Sequence, residues 1–489
     1  MPTLRIPTEE EIRAAARQGE DEVVALVGEM VQAIMMLVKK VQELEDKLAK
    51  NSKNSSKPPA SDGLGKPNRT GSLRKSSGKK SGAQEGHPGS RLERVEKPDQ
   101  VERCPVEICA QCQASLERIS VSRIERRQEF ELPPIRLVVT EYQAEVKHCP
   151  HCGCENQAEF AVGITQPTQY GPDFKALLVY FNQKQFVPLE RVAEICQDVI
   201  NQPVGEGTLV EARHQAAHLV EPVNQRIKQY LIETDETVHF DESSLRVTQS
   251  NHWVHSAGTK RATNYHLDEK RGTVGIDNAG ILPKRTGNCA HDDWAAYYTY
   301  PNARHGSCNA HHLREFAFLQ ERYPQDWEGA MVEHLLFIKR AVAEAVAQGQ
   351  SCLTADQRQA FEARYDELVQ QGLASNPVPE KPPGQRGKVK HSPPKNLLDR
   401  LRDYKAAVLA FMYDFKVPFD NNLAERDIRM VKLKQKISGC FRSTDGAKTF
   451  CAIRGYLSTA RKNDFSAFEA LKLAMRGSPY APDFLPAIR

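Results

Sequence analysis

Three acidic side chains far apart in the chain carry the chemistry this sequence offers. They are Asp241 in VHFDESSLRV, Asp292 in GNCAHDDW with Asp293 beside it, and Glu425 in VPFDNNLAERDIRMVKLKQKISG. Carboxylates brought together from two strand ends and a helix can hold two divalent cations about 3.5–4 Å apart, an arrangement suited to in-line attack on a phosphodiester. Hard oxygen ligands favour Mg²⁺ or Mn²⁺ over zinc. At about 100° per residue, Arg429, Lys432 and Lys436 share a narrow arc with Glu425, and Arg426 and Lys434 extend the basic surface. Such cations make phosphate contacts that carry little base sequence information. Each acid also has an ordinary role open to it. Asp241 can cap a turn, Asp292 can be a solvated neighbour of Asp293, and Glu425 can complete a capping box with Asn422 or an i,i+4 pair with Arg429.

Specific elements have to deliver these residues. The stretch around Glu425 reads as a helix that Asn421 and Asn422 cap, with Leu423, Asp427 and Met430 as an apolar-leaning stripe and Gly439 as its end. Upstream, VHFDESSLRV, HWVHSAG and TNYHLDE alternate as strands, GTVGIDNAGI suits a short helix, and GNCAHDDW suits a further strand. That order opens a ribonuclease-H-like mixed sheet, in which the first and fourth strands are neighbours and present their acids side by side. The long, largely helical stretch between Asp292 and Glu425 predicts an insertion at about 307–413. Within it Cys308, His311 and His312 look like half of a zinc site lacking its second half, which favours a structural or supporting cluster.

A second chemical signal lies in the twelve cysteines. Cys109 and Cys112, then Cys149 and Cys152, form two Cys-x-x-Cys knuckles flanking strand-like alternation, which predicts a four-thiolate structural zinc site in a small ribbon. Cys104, Cys154, His148 and His151 are alternative ligands. Between this ribbon and the strands, LERVAEICQDV and TLVEARHQAAHLV flank a polar break and fit either a helix-turn-helix or ordinary helix packing. Ahead of the ribbon, a Ser, Gly, Pro and Lys-rich stretch from Asn51 to about Gln100 reads as a disordered basic tether carrying Lys53, Lys57, Lys66, Arg69, Arg74, Lys75, Lys79 and Lys80. Before it, Val23, Val27, Met30, Ile34, Leu37, Val41, Leu44 and Leu48 alternate at spacings of four and three, the seam of a coiled coil and a route to a homo-oligomer.

The sequence is therefore expected to be a multidomain α/β protein. Its expected order is a coiled coil at 1–50, a disordered linker at 51–100, a zinc ribbon at 101–165, a helical DNA-binding segment at 166–230, a catalytic domain at 231–450 and a helical cap at 451–489. Net charge is only +4, from 67 Lys and Arg against 63 Asp and Glu, so the local distribution of charge and not its total points to nucleic acid. No run of about 18 apolar residues predicts a membrane span, and the acidic start MPTLRIPTEEEIRAAARQGEDE lacks a signal-peptide pattern, so a cytoplasmic protein is expected.

HFDESSLRV, HDDW, CNAHHLREF and above all VPFDNNLAERDIRMVKLKQKISGCFRS resemble the Asp-Asp-Glu transposases of bacterial insertion sequences, specifically the insertion sequence sixty-six family. The resemblance covers nearly the whole chain. It implies a transposase that binds the ends of its element and target DNA and performs metal-dependent cleavage and strand transfer, with companion proteins of the same element as further partners. The family's acids fall on Asp241, Asp292 and Glu425. Relatives often carry glycine after the second acid, so Asp293 is a rival ligand here, and the first knuckle departs from the usual Cys-Pro-x-Cys-Gly at Ala110 and Gln113. The alternative functions are a catalytically silent DNA-binding regulator and a structure-selective nuclease on the same fold.

Overall fold

A computed structural model describes residues 7–51, 54–55, 92–378 and 389–487. The basic residues expected in the tether lie outside these residues, as does 380–388 of the Pro-rich basic piece EKPPGQRGKVKHSPPK. The chain opens with helices α1 (Glu9–Gln18) and α2 (Glu20–Ala49), and none of their residues is buried. The end of α2 docks on the insertion: Arg322 pairs with Glu45 at 2.9 Å and Lys390 with Glu43 at 2.6 Å. Two short strands follow over the second cysteine knuckle, β1 (Val146–His148) and β2 (Glu155–Gln157), paired antiparallel.

Helices α3 (Pro172–Val179), α4 (Leu189–Ile200) and α5 (Glu206–Glu233) come next. The break between α4 and α5 matches the sequence, with Asn201 in the left-handed conformation that ends α4. The second helix runs well past TLVEARHQAAHLV, the stretch the sequence marks. Leu209, Ala212, Ala216, Val220, Val223 and Ile227 continue at helical spacing and are all buried, so the apolar stripe carries α5 on to Glu233 and commits it to the core.

Five strands then form one sheet: β3 (Val238–Val247), β4 (Ser250–Gly258), β5 (Thr263–Asp268), β6 (Asn288–His291) and β7 (Arg304–Ser307). Their order is β5-β4-β3-β6-β7. β4 runs antiparallel to β3 and β5, whereas β6 is parallel to both β3 and β7. The chain changes direction through the short helix α6 (Thr273–Ala279). β7 is absent from the sequence reading because RHGS has no alternating apolar pattern; it is a four-residue strand held by its partner β6.

From the end of β7 the chain makes a helical excursion: α7 (Asn309–Arg322), α8 (Asp326–Ala347), α9 (Ala355–Ser375), α10 (Pro393–Asp403), α11 (Lys405–Val408) and α12 (Ala410–Tyr413). These elements bury a core of their own around Phe316, Trp327, Leu335, Tyr365, Leu398 and Met412. The excursion leaves and returns at one place, where the Asn309 N–H donates to the Phe419 carbonyl at 3.0 Å and the Asn421 N–H to Cys308 Sγ at 3.1 Å. Helices α13 (Asn422–Ser438), α14 (Thr444–Lys462) and α15 (Ala467–Met475) complete the chain. One core joins α5, the sheet, α14 and α15 through Ile227, Leu231, Phe240, Ile453, Leu457 and Leu471. Divisions at 230 and at 450 therefore run through a single core. Their residues meet only by long-range packing, which local composition does not record.

Candidate active site

Parallel pairing of β3 and β6 aligns the first two acids. The register sets Val238 opposite Cys289 and His239 opposite Ala290, so two residues further along Asp241 is level with Asp292. Burial, followed by the charges of Glu242, Asp292 and Glu425, pushes the Asp241 carboxyl well above the usual range. Asp241 thus lies within electrostatic reach of both of the other expected acids, Asp292 and Glu425. Asp292 is raised to about 7, first by burial and then by Glu242, and its Oδ1 accepts the Trp294 N–H at 3.1 Å.

Asp293 behaves differently. Its carboxylate accepts hydrogen bonds from Tyr298 at 2.7 Å and Ser307 at 2.5 Å and forms an ion pair with buried His312. Although burial alone would raise it, His312, Ser307 and Tyr298 hold it below the usual carboxylate value. These partners tie Asp293 to β7 and α7, while among the described residues the Asp292 side chain bonds only the turn that follows it.

Glu425 arrives on the first turn of α13, and the residue that sets its position is Asn421. The sequence suggests a cap from Asn421 and Asn422, yet the Asn421 side chain makes no capping bond, and it is Asp420 Oδ1 that accepts the Asn422 N–H at 3.2 Å. Instead Asn421 Nδ2 donates to the Phe240 carbonyl at 2.7 Å, and its Oδ1 meets His239 Nδ1 at 2.7 Å, fastening the helix start to β3 one residue from Asp241. The side chain is drawn away from the helix N–H groups because two buried polar partners on β3 would otherwise be orphaned. The buried stripe of α13 is Ala424, Ile428 and Val431; of the expected Leu423, Asp427 and Met430, Met430 is partly buried against the cluster of Ile428 and Val431. Asp427 instead accepts Lys462 Nζ at 2.6 Å and Thr263 Oγ1 at 3.3 Å, joining α13 to α14 and β5. On Glu425, Oε1 is buried with no hydrogen-bond partner among the described residues; Arg314 and His311 lie 3.6 and 3.7 Å away.

The five expected phosphate contacts divide. Arg426, Arg429 and Lys436 are exposed. Lys432 turns back to Ser244, bonding its carbonyl and, at 3.2 Å, its hydroxyl. Lys434 lies 3.8 Å from the Phe441 ring centroid, donates to the Gly439 carbonyl at 3.1 Å, and is lowered to about 8 by burial. A lysine desolvated in this way is a poor phosphate ligand.

Glu242 is a neighbour the sequence reading missed. It is the foremost charge acting on both Asp241 and Asp292. Arg271 holds it with two bonds, at 2.6 and 2.9 Å, and Tyr297 donates to its other oxygen. Arg271 in turn stacks on Trp294 at 4.3 Å. Strand alternation assigns Glu242 to the face opposite Asp241, and only the paired acids in FDESS hinted at more.

In the ribbon, each knuckle is formed. Backbone N–H groups of Cys112 and Gln111 hold the Cys109 thiol below its ordinary value, and those at Cys154, followed by the thiols of Cys154 and Cys149, do the same for Cys152. Among the described residues, however, no three ribbon thiols come within 4.8 Å of one another; the group that does is Cys308, His311 and Glu425. No helix among the described residues is long and apolar enough to cross a membrane.

Comparison with known families bears on most of the chain. A family model described as the transposase IS66 family matches residues 167–449, and one described as the zinc-finger binding domain of transposase IS66 matches residues 107–153. A family of unknown function matches residues 5–93. No curated protein matches the chain.

Proposed function

The chain belongs to the IS66 transposase family, and on that premise we propose that it binds the ends of its mobile element and uses Asp241, Asp292 and Glu425 to cut and rejoin DNA. The observation that carries this reading is how the acids are placed: burial and then the charges of Glu242, Asp292 and Glu425 raise the Asp241 carboxyl, and Glu425 Oε1 is buried with no hydrogen-bond donor among the described residues. Acids this close are costly unless protonated or neutralised by cations, which suits a divalent pair. Bound there, Mg²⁺ or Mn²⁺ would supply Lewis-acid stabilisation of the attacking and leaving oxygens. The order of the sheet, with the first and fourth strands adjacent and parallel, supports a ribonuclease-H-like core.

The chain's own residues then have separable tasks. Asp292 is the better ligand of its pair, because Asp293 is engaged by Tyr298, Ser307 and His312. Asn421 fixes Glu425 against β3. Arg426, Arg429 and Lys436 hold backbone phosphates along the exposed side of α13. Hydrolysis at the element end frees a 3′ hydroxyl, and that hydroxyl attacks target DNA at the same site. The ribbon supports a structural zinc held by Cys109, Cys112, Cys149 and Cys152, whose binding would draw the two knuckles together, and it presents a surface for end recognition. The exposed seam of α2 supports pairing with a second copy of the chain.

The test is cleavage and joining of end-bearing DNA in Mg²⁺ by wild type and by the variants D241N, D292N and E425Q. Each substitution should lower both steps by on the order of 10²-fold or more. Activity surviving any one of them removes that residue from the ligand set. Cutting without joining would identify a structure-selective nuclease, and neither activity in wild type would identify a regulator.

A further inference from the structure

Cys308, His311 and Glu425 each offer a donor atom, and these atoms all lie within 4.8 Å of one another. From sequence alone the Cys-x-x-His pair is half a metal site. Folding supplies the rest: the pair spans the N-terminus of α7, and Glu425 comes to it on the first turn of α13. We propose that these three residues form a binding site for a thiophilic divalent cation of the zinc class, separate from the ribbon and from the Asp241–Asp292 pair.

Several features support a cation here. His311 Nε2 and Glu425 Oε1 are 3.7 Å apart, close to the edge of about 3.4 Å that metal–ligand distances near 2.0–2.1 Å set in a tetrahedron. Glu425 Oε1 and His311 Nδ1 are both buried with no hydrogen-bond partner among the described residues, an expensive condition that a bound cation relieves for the carboxylate. Cys308 Sγ accepts the Asn421 N–H at 3.1 Å, the kind of support that steadies a thiolate. His312 is not part of the set, because it faces Asp293. A competing cation already present is the partly buried Arg314, 3.6 Å from Glu425.

A thiolate and an imidazole with one carboxylate select zinc-like ions over magnesium, and three protein ligands leave a fourth position open. On binding, the Cys308 S–H bond breaks, its proton passes to water and a sulfur–metal bond forms. The inference shares Glu425 with the catalytic reading but does not depend on DNA chemistry.

The experiment counts Co²⁺ bound to the full-length protein in millimolar Mg²⁺ and follows the near-ultraviolet sulfur-to-cobalt charge-transfer band. Wild type should take one equivalent more than C308S or H311A. A ribbon variant carrying C109S and C112S should keep a band that C308S abolishes. Calorimetric unfolding of each variant shows whether it remains folded, and H311A leaves every thiol in place should C308S fold poorly. Equal stoichiometry in wild type, C308S and H311A overturns the site. An inactive protein that still takes the extra equivalent keeps the site and discards the catalytic reading; an active one that lacks it does the reverse.

Discussion

At the scale of single residues, the site depends on where buried side chains spend their hydrogen bonds. Asn421 serves a strand instead of its own helix, so Asn421→Ala should orphan His239 Nδ1 and the Phe240 carbonyl. The expected cost is about 1–3 kcal/mol for each unsatisfied partner, read as a lower unfolding midpoint in calorimetry, with single-turnover cleavage falling alongside it. An N421A protein as stable and active as wild type would remove Asn421 from the positioning set. Lys434 makes a separate, electrostatic prediction. Burial lowers it from an ordinary value of 10.5 to about 8, so between those limits the unfolded chain binds more protons than the fold. Stability should accordingly rise as pH climbs from 8 to 10.5, and Lys434→Met should flatten that slope in denaturant titrations taken across the range. A slope unchanged in K434M would mean that the amine is already solvated.

At the scale of elements, α13 presents two kinds of cation that are indistinguishable on a helical wheel. Periodicity places Arg429, Lys432 and Lys436 beside Glu425, but not which of them finds a partner on β3, and Lys432 does. Replacing Arg426, Arg429 and Lys436 together by alanine should weaken DNA binding uniformly across sequences and reduce the slope of log affinity against log salt by about 0.9 per lost phosphate contact. The K432A change should leave that slope nearly as it was; equal effects from the two sets would contradict the division. The same contrast explains what could be read in advance. β3, β4 and β5 were legible because VHFDESSLRV, SNHWVHSAG and TNYHLD alternate, and α13 because its periodicity and the Gly439 that ends it are local. β7 was not, since RHGS is a strand only by virtue of β6. The third donor of the Cys308–His311 pair was hidden for a similar reason: Glu425 is distant in sequence and is brought there by the return of the chain.

At the scale of the whole molecule, α2 holds a seam of Val27, Ile34, Val41 and Leu44 that is about half exposed, at 50%, 56%, 52% and 49%. A stripe this long is costly to leave in water, at about 25 cal/mol per Å² of apolar surface. Changing Ile34 and Val41 to aspartate should lower the molecular mass measured by light scattering to that of a single chain while leaving zinc content unchanged; an unaltered mass would assign the seam to some other contact. The doorway at Cys308 and Asn421 has a different implication. Because six helices depart and come home between two adjacent contacts, one backbone to backbone and one backbone to sulfur, the excursion can lengthen, shorten or be exchanged for another without parting Asp292 from Glu425. On the proposed function, reach over DNA is thereby open to change over generations, while the acids keep their places.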